Sequence, residues 1–285
     1  MFSSLKLGKL FGIDLYVHAT FWLLPLFVFL GGVLDGDLSG ATLDVAVLFA
    51  VFGCVALHEV GHALAAAYYG IATRDITLYP VGGVARLERM PERPLHEIVV
   101  ALAGPAVNVV IALGLFAGIY FGNLSLPDSF TLSGLELLDE FTVRVFWVNA
   151  FLAAFNLIPA FPMDGGRVLR AMLSTRMRRV KATNVAVKVG SVIAAGFVLV
   201  GLHQGMMTLA LVGAVVFILG RVELAQVRAI ESRREWERSS AAYDGGPVHG
   251  TAAGRPPFTG WTWDPAQRMW GEWQDGVLIR EVPAR

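Results

Sequence analysis

Residues 45–69 read VAVLFAVFGCVALHEVGHALAAAYY, an apolar stretch with His58-Glu59-Val60-Gly61-His62 in its middle. A bilayer core takes about 20 residues of helix, so this stretch is long enough to cross one. On a helix, positions i and i+4 share a face, so His58 and His62 can point at one metal ion. The Glu of an H-E-x-x-H pattern, here Glu59, is its general base. Ionisable groups at membrane depth are costly and mark functional sites by default. The stretch therefore implies zinc-dependent hydrolysis carried out within a membrane.

Composition points the same way. The chain has 285 residues, 55% of them hydrophobic and 16% charged, with mean hydropathy +0.59. A soluble domain carries about 25% charged residues. Formal net charge is zero, so no nucleic-acid partner is expected. A single cysteine, Cys54, excludes an internal disulfide and leaves the redox compartment open. The N-terminal MFSSLKLGKLFGIDLYVHAT lacks an early apolar core followed by a small-residue cleavage site. No cleaved signal peptide is expected, and the first membrane helix serves as the insertion signal.

Six apolar segments stand out, at 17–34, 45–69, 97–121, 143–161, 185–203 and 205–220. Lys and Arg alternate across them. One side receives Lys6, Lys9, Arg74, Arg86, Arg89 and Arg93, then the run from Arg167 to Lys181 and the basic residues from Arg221 onward. The opposite loops, 35–44, 122–141 and 203–205, contain no Lys or Arg, and the two longer ones carry Asp or Glu. The positive-inside rule then puts both termini in the cytosol. The expected fold is an all-α polytopic protein of the cell membrane, with about six transmembrane helices over residues 1–220. Between the second and third spans, 76–90 reads as a short β-hairpin or re-entrant loop around Gly82-Gly83.

The rest is a small cytosolic tail. Residues 221–238 are expected as a cytosolic or interfacial helix, or equally as a solvated continuation of span six. Residues 239–260, rich in Gly, Ala, Pro and Ser, read as a flexible linker. Residues 261–285 carry Trp261, Trp263, Trp270 and Trp273, with the hairpin signal Asp275-Gly276 between apolar runs. They read as a small β element or as an aromatic membrane-interface patch.

Two histidines leave zinc short of a third protein ligand. The segment Asn156-Leu-Ile-Pro159-Ala-Phe-Pro162-Met-Asp164-Gly165-Gly166-Arg167 is the place to look for it. A hydrophobic span breaks there at two prolines and exposes an Asp followed by two glycines. Prolines end the helix, and glycines let backbone approach closely. Irregular backbone at membrane depth is tolerated only where it is buried in protein or lines a wet cavity. The plain alternative for Asp164 is the N-cap of a helix over 165–175. Cys54 reads as a small packing residue. Gly104, Gly114 and Gly118 read as sites of close helix packing.

HEVGH in the second span, followed by NLIPAFPMDGG at 156–166, resembles the site-2 protease family of intramembrane zinc metalloproteases. YVHAT at 16–20, PVGGVARL at 80–87 and AGPAVN at 103–108 are further matching pieces, and the resemblance covers about residues 8–220. The resemblance implies His58, His62 and Asp164 as ligands of one zinc ion per subunit, with Glu59 catalytic. It implies Asn156 and Asn108 near the site, hydrogen-bonding substrate or intermediate. Separately from the resemblance, Gly82 and Gly83 read either as part of an exposed edge strand that would pair with an unwound substrate by β-augmentation or, almost equally, as a plain cytosolic turn. The implied substrate is a membrane-anchored regulator, such as an anti-sigma factor or a transcription-factor precursor, cut within the bilayer. The tail does not look like the nucleotide-sensing domain pairs or PDZ domains of many relatives. A regulatory partner or self-association through that tail is the expectation in their place.

Two other classes compete. A metal transporter would use the same His and Asp for passage, but it would tend to repeat its polar positions in two halves, and no repeat is visible. A catalytically inactive scaffold for membrane helices would not need Glu59 between the ligands.

Overall fold

The computed structural model describes residues 4–80, 82–89, 91, 93–121, 134–243, 259–264, 269–274 and 277–283. Strands β1 (Ser4–Leu10) and β2 (Ile13–His18) form an antiparallel hairpin. Its two-residue turn uses Phe11 and Gly12, at φ 50° and 85°, the left-handed geometry that suits the twist of paired strands. A short 3-10 turn (Ala19–Trp22) leads into α1 (Leu23–Leu34). Next comes α2 (Leu38–Tyr68), which begins where Asp37 Oδ1 accepts a hydrogen bond from the Gly40 amide at 2.8 Å, an Asp N-cap.

Beyond α2 the chain returns as β3 (Thr73–Tyr79), parallel to β2, and β4 (Gly82–Leu87), antiparallel to β3. The sheet order is β1-β2-β3-β4, so β4 is an outer strand. The hairpin expected around Gly82-Gly83 is present, with Tyr79 opposite Gly82. It is half of a four-stranded sheet, however, and the chain is helical with β rather than all-α. Val17 and Leu78 of the sheet pack with Phe21 of the turn and with Phe52 and Ala56 of α2. This cluster fixes β3 and β4 alongside the middle of the HEVGH helix.

The remaining helices are α3 (Pro94–Phe121), α4 (Gly134–Asn156), α5 (Asp164–Ser174), α6 (Arg179–His203) and α7 (Met207–Tyr243). Among the described residues four helices are long and apolar enough to cross a membrane: α2, α3, α6 and residues 207–237 of α7. Their most apolar windows are only 28% to 33% buried within the protein. Four helices of this length and hydropathy, with most of their apolar residues facing outward, mark a multi-pass membrane protein. The first segment expected to span is a shorter apolar run, Ala19–Leu34. Helix α4 carries Asp139, Glu140 and Arg144 in its first half. There Arg144 pairs with Glu140 and, at 2.5 Å, with Asp44 of α2. Residues 221–238 continue α7 without a break.

The chain divides into two compact units, residues 1–231 and 232–285. In the second, β5 (Gly260–Asp264), β6 (Met269–Gln274) and β7 (Val277–Pro283) form an antiparallel sheet in that order. Trp263 lies opposite Trp270, and Arg280 lies over the Trp261 ring at 5.5 Å. The Asp275-Gly276 turn and most of the 239–260 linker lie outside the described residues.

Candidate metal centre

The helical repeat of α2 stacks His58 and His62 on one face, with ring centroids 4.7 Å apart and planes at 83°. Their Nε2 atoms are 3.0 Å apart. Asp164, more than a hundred residues later, brings Oδ2 to 3.3 Å from His58 Nε2 and 3.2 Å from His62 Nε2. All three side chains are buried. Asp164 is the first residue of α5, and the helix cap falls on Met163. Among the described contacts, its carboxylate meets the two histidines and, at 3.8 Å through Oδ1, Arg167.

The glycines after Asp164 make this approach feasible. A Cβ on Gly165 would strike the carbonyl oxygens of Leu157 and Ile158; one on Gly166 would lie 2.7 Å from the Ala160 carbonyl carbon. The loop 157–161 thus folds directly onto the first turn of α5. On the other side α3 presses against α2. A Cβ on Gly61 would lie 2.8 Å from the Ala103 carbonyl oxygen, and one on Gly104 would collide with His62 Nε2 and sit 2.7 Å from His58 Nε2. Gly104 is therefore part of the wall of the centre. Gly114 and Gly118 face open space.

The far side of each ring sets its tautomer. His62 Nδ1 lies 2.7 Å from the Val100 carbonyl oxygen, a group that only accepts, so Nδ1 carries the proton. His58 Nδ1 lies 2.5 Å from Asn108 Oδ1, with the same consequence. Both Nε2 atoms then present lone pairs to each other and to a carboxylate oxygen. Three such atoms at this spacing repel unless a cation or a proton lies among them. A tetrahedral ion with bonds of about 2.0–2.1 Å holds its ligand atoms about 3.3 Å apart. The observed 3.0–3.3 Å and the N, N, O donor set fit zinc. Among the described residues this is the one group of three or more such side chains gathered closely enough for a metal.

Glu59 lies beside these ligands on the same helix, half-buried. Its Oε2 accepts a hydrogen bond from the Ala85 amide of β4 at 3.1 Å. A Cβ on Gly83 would lie 2.7 Å from Glu59 Cγ, so only glycine lets β4 pass this close. Gly82 takes a φ of 136° that suits glycine alone. Asn108 is fully buried, and its Nδ2 donates to Asn149 Oδ1 at 2.9 Å. Asn156 donates from Nδ2 to the Leu152 carbonyl of its own helix at 3.0 Å, so no described contact joins it to the histidines. Sequence reasoning missed the Val100 carbonyl, the Ala85 amide and Asn149. A main-chain group leaves no mark in a sequence. Asn149, a polar residue inside an apolar stretch, is a signal that could have been followed.

A second buried cluster holds α5 in place. Arg170, 1% exposed, donates through Nε to Glu97 Oε1 of α3 at 2.8 Å and through Nη1 to Glu223 Oε1 of α7 at 2.5 Å. Arg179 Nη2 lies 3.4 Å from Glu97 Oε2. The guanidinium of Arg170 also lies 5.1 Å from the centre of the Phe161 ring. The cluster thus pins both α5 and the loop that precedes it.

Residues 46–138 and 132–197, together more than half of the chain, match the sequence profile of peptidase family M50. A zinc metalloprotease of Methanocaldococcus jannaschii is 35% identical over 230 residues, which is 80% of this chain and 62% of that protein. The solved site-2 protease from Methanocaldococcus jannaschii superposes with a TM-score of 0.54 at 33% identity, over 78% of this chain and 95% of that one. The chain spans from 45% to 62% of the length of the curated relatives it matches. The profile match and the shared fold at this level of identity lead to one conclusion: the chain belongs to peptidase family M50, the family of the site-2 proteases.

Proposed function

We propose that this protein is an intramembrane zinc endopeptidase that hydrolyses a peptide bond in or near a transmembrane segment of a membrane-anchored substrate. One observation carries the proposal: three buried metal-binding atoms lie within about 3.3 Å of one another on an apolar helix and the start of α5, with a carboxylate next to the first histidine. His58 and His62 through Nε2 and Asp164 through Oδ2 would hold the ion. When bound, zinc lowers the pKa of water to near 7 and polarises a carbonyl.

Glu59 moves the proton. The Ala85 amide occupies Oε2, which leaves Oε1 to take a proton from the attacking water and deliver it to the leaving amine. Such a transfer contributes about 10²–10⁴-fold. Backbone carbonyls of an intact membrane helix are hydrogen-bonded and shielded, so the substrate must unwind before cleavage. Strand β4 offers it a partner: it is the outer strand, and its Ala85 amide already points at Glu59. An unwound substrate paired along Gly82–Leu87 would run past the reacting groups. Gly83 packs against Glu59 along this approach, Asn108 serves His58, and Asn156 is left as a candidate hydrogen-bond donor to bound substrate.

The proposal includes six spans in the cell membrane with both termini cytosolic, a reading supported by the alternation of Lys and Arg across the six apolar segments. On that arrangement α1 and α4 complete the set, and the Trp-rich sheet is the module for a regulatory partner or for self-association. The test is reconstitution with single-span substrates in proteoliposomes. Cleavage that stops on chelation and returns with zinc supports the proposal. Cleavage indifferent to chelation would overturn it.

A further inference from the structure

Asn149 of α4 is fully buried and lies 95 residues beyond Cys54 of the HEVGH helix, yet it ends a chain of hydrogen bonds that begins at His58. Its Nδ2 donates to the Val145 carbonyl oxygen at 2.9 Å and to Cys54 Sγ at 3.2 Å. Both amide protons are thereby used. The Val145 oxygen accepts only, so this amide cannot be turned over without setting oxygen against oxygen. Asn149 Oδ1 must therefore face Asn108, where it accepts from Nδ2 at 2.9 Å. That contact in turn fixes which end of the Asn108 amide faces His58: the oxygen, 2.5 Å from Nδ1.

We propose that Asn149 is a positioning residue for the metal centre, locking the Asn108 amide so that His58 keeps its proton on Nδ1 and its lone pair on Nε2. With Asn149 removed, Asn108 is free to turn over. Its NH₂ group would then face His58 Nδ1, select the opposite tautomer and put a proton where the metal binds. Outer-shell partners of metal-ligating histidines typically govern affinity by 10–100-fold; here the partner that sets the tautomer sits two hydrogen bonds from the ring and on a third helix. Cys54, in this arrangement, is the acceptor that consumes the second Asn149 proton, not a metal ligand.

The inference rests on the zinc reading of the site, and its test separates the two. The full chain, solubilised in detergent, is compared with Asn149→Leu and Asn149→Asp. Leu removes the relay. A carboxylic acid keeps an acceptor for Asn108 and one O–H donor for Val145. Zinc affinity is measured by chelator competition, and the His58 Nδ1–H proton is followed by NMR on ¹⁵N-histidine-labelled protein with and without metal. Expected are a zinc affinity at least about 10-fold weaker in Asn149→Leu, loss of its exchange-protected Nδ1–H signal, and near-wild-type behaviour of Asn149→Asp in both. A folded Asn149→Leu with unchanged affinity, or an Asn149→Asp as weak as Asn149→Leu, overturns the relay. So does a wild-type His58 whose Nδ1 carries no proton, a result that needs no variant to fold. A wild-type chain that binds no zinc would refute the functional proposal instead, and the NMR signal would still judge the relay.

Discussion

The Ala85 amide donates to Glu59 Oε2 across 3.1 Å and 26 residues of sequence. This single bond ties the outer strand of the sheet to the carboxylate beside the two histidines. It orients Glu59, and under the proposed function it is where an added substrate strand would meet the carboxylate. Ala85→Pro removes the donor at an edge position, where proline is tolerated. A hydrogen bond to a charged group contributes about 1.5–3 kcal/mol. Turnover should therefore fall roughly 10-fold or more, while zinc content stays at the wild-type level. Equal losses of zinc and turnover would place Ala85 in metal binding rather than beside the base.

Gly104→Ala should empty the metal centre. Its Cβ would collide with His62 Nε2 and lie 2.7 Å from His58 Nε2, on rings held from behind by Val100 and Asn108. Gly114→Ala, on the same helix and facing open space, is the matched control. Zinc per chain by elemental analysis should be near zero in the first and unchanged in the second.

Arg170→Met should destabilise the protein, because it takes from the buried Glu97 carboxylate its closest cation and leaves it only the longer contact with Arg179 at 3.4 Å. Breaking one side of a buried pair costs about 3–5 kcal/mol. Adding Glu97→Gln to Arg170→Met should restore part of that stability. Arg233→Ala, which breaks the exposed pair with Glu237, should cost less than about 1 kcal/mol. Thermal unfolding in detergent ranks the variants.

Metal removal should lower stability as well as activity. A ligand present at about 1,000 times its Kd stabilises the folded state by about 4 kcal/mol. Chelation should therefore lower the unfolding temperature of the wild type but leave that of Asp164→Asn nearly unmoved. A wild-type unfolding temperature indifferent to chelation would count against a bound ion.

Much of this centre can be read in the chain because its parts are local patterns. HEVGH announces two ligand positions through the helical repeat alone, and Pro-Met-Asp-Gly-Gly announces a backbone break where a side chain can turn inward. Gly82-Gly83 marks a hairpin for the same local reason. The β1–β2 hairpin is harder to see, because its turn, Phe11-Gly12, is not one of the Asn-Gly or Asp-Gly pairs that signal a hairpin most strongly. The parallel pairing of β2 with β3 spans about sixty residues, a distance that periodicity does not report. Arg144, Glu140 and Asp139 lie in the first half of α4, at or ahead of the start of the apolar segment 143–161, so the start of this helix is not marked by hydropathy. The Asn149–Asn108–His58 relay is hidden for a different reason. Each residue is visible as a polar group in an apolar helix, but which amide faces which ring depends on how three helices pack.

The direct test of the central claim is Glu59→Gln in the reconstituted, zinc-loaded protein. Gln keeps the shape of the side chain and an oxygen for the Ala85 amide, but it cannot take a proton from water. Zinc content should remain at wild-type stoichiometry, and cleavage of a single-span substrate should fall by about 10²–10⁴-fold. Cleavage at the wild-type rate by a zinc-replete Glu59→Gln protein would contradict the account.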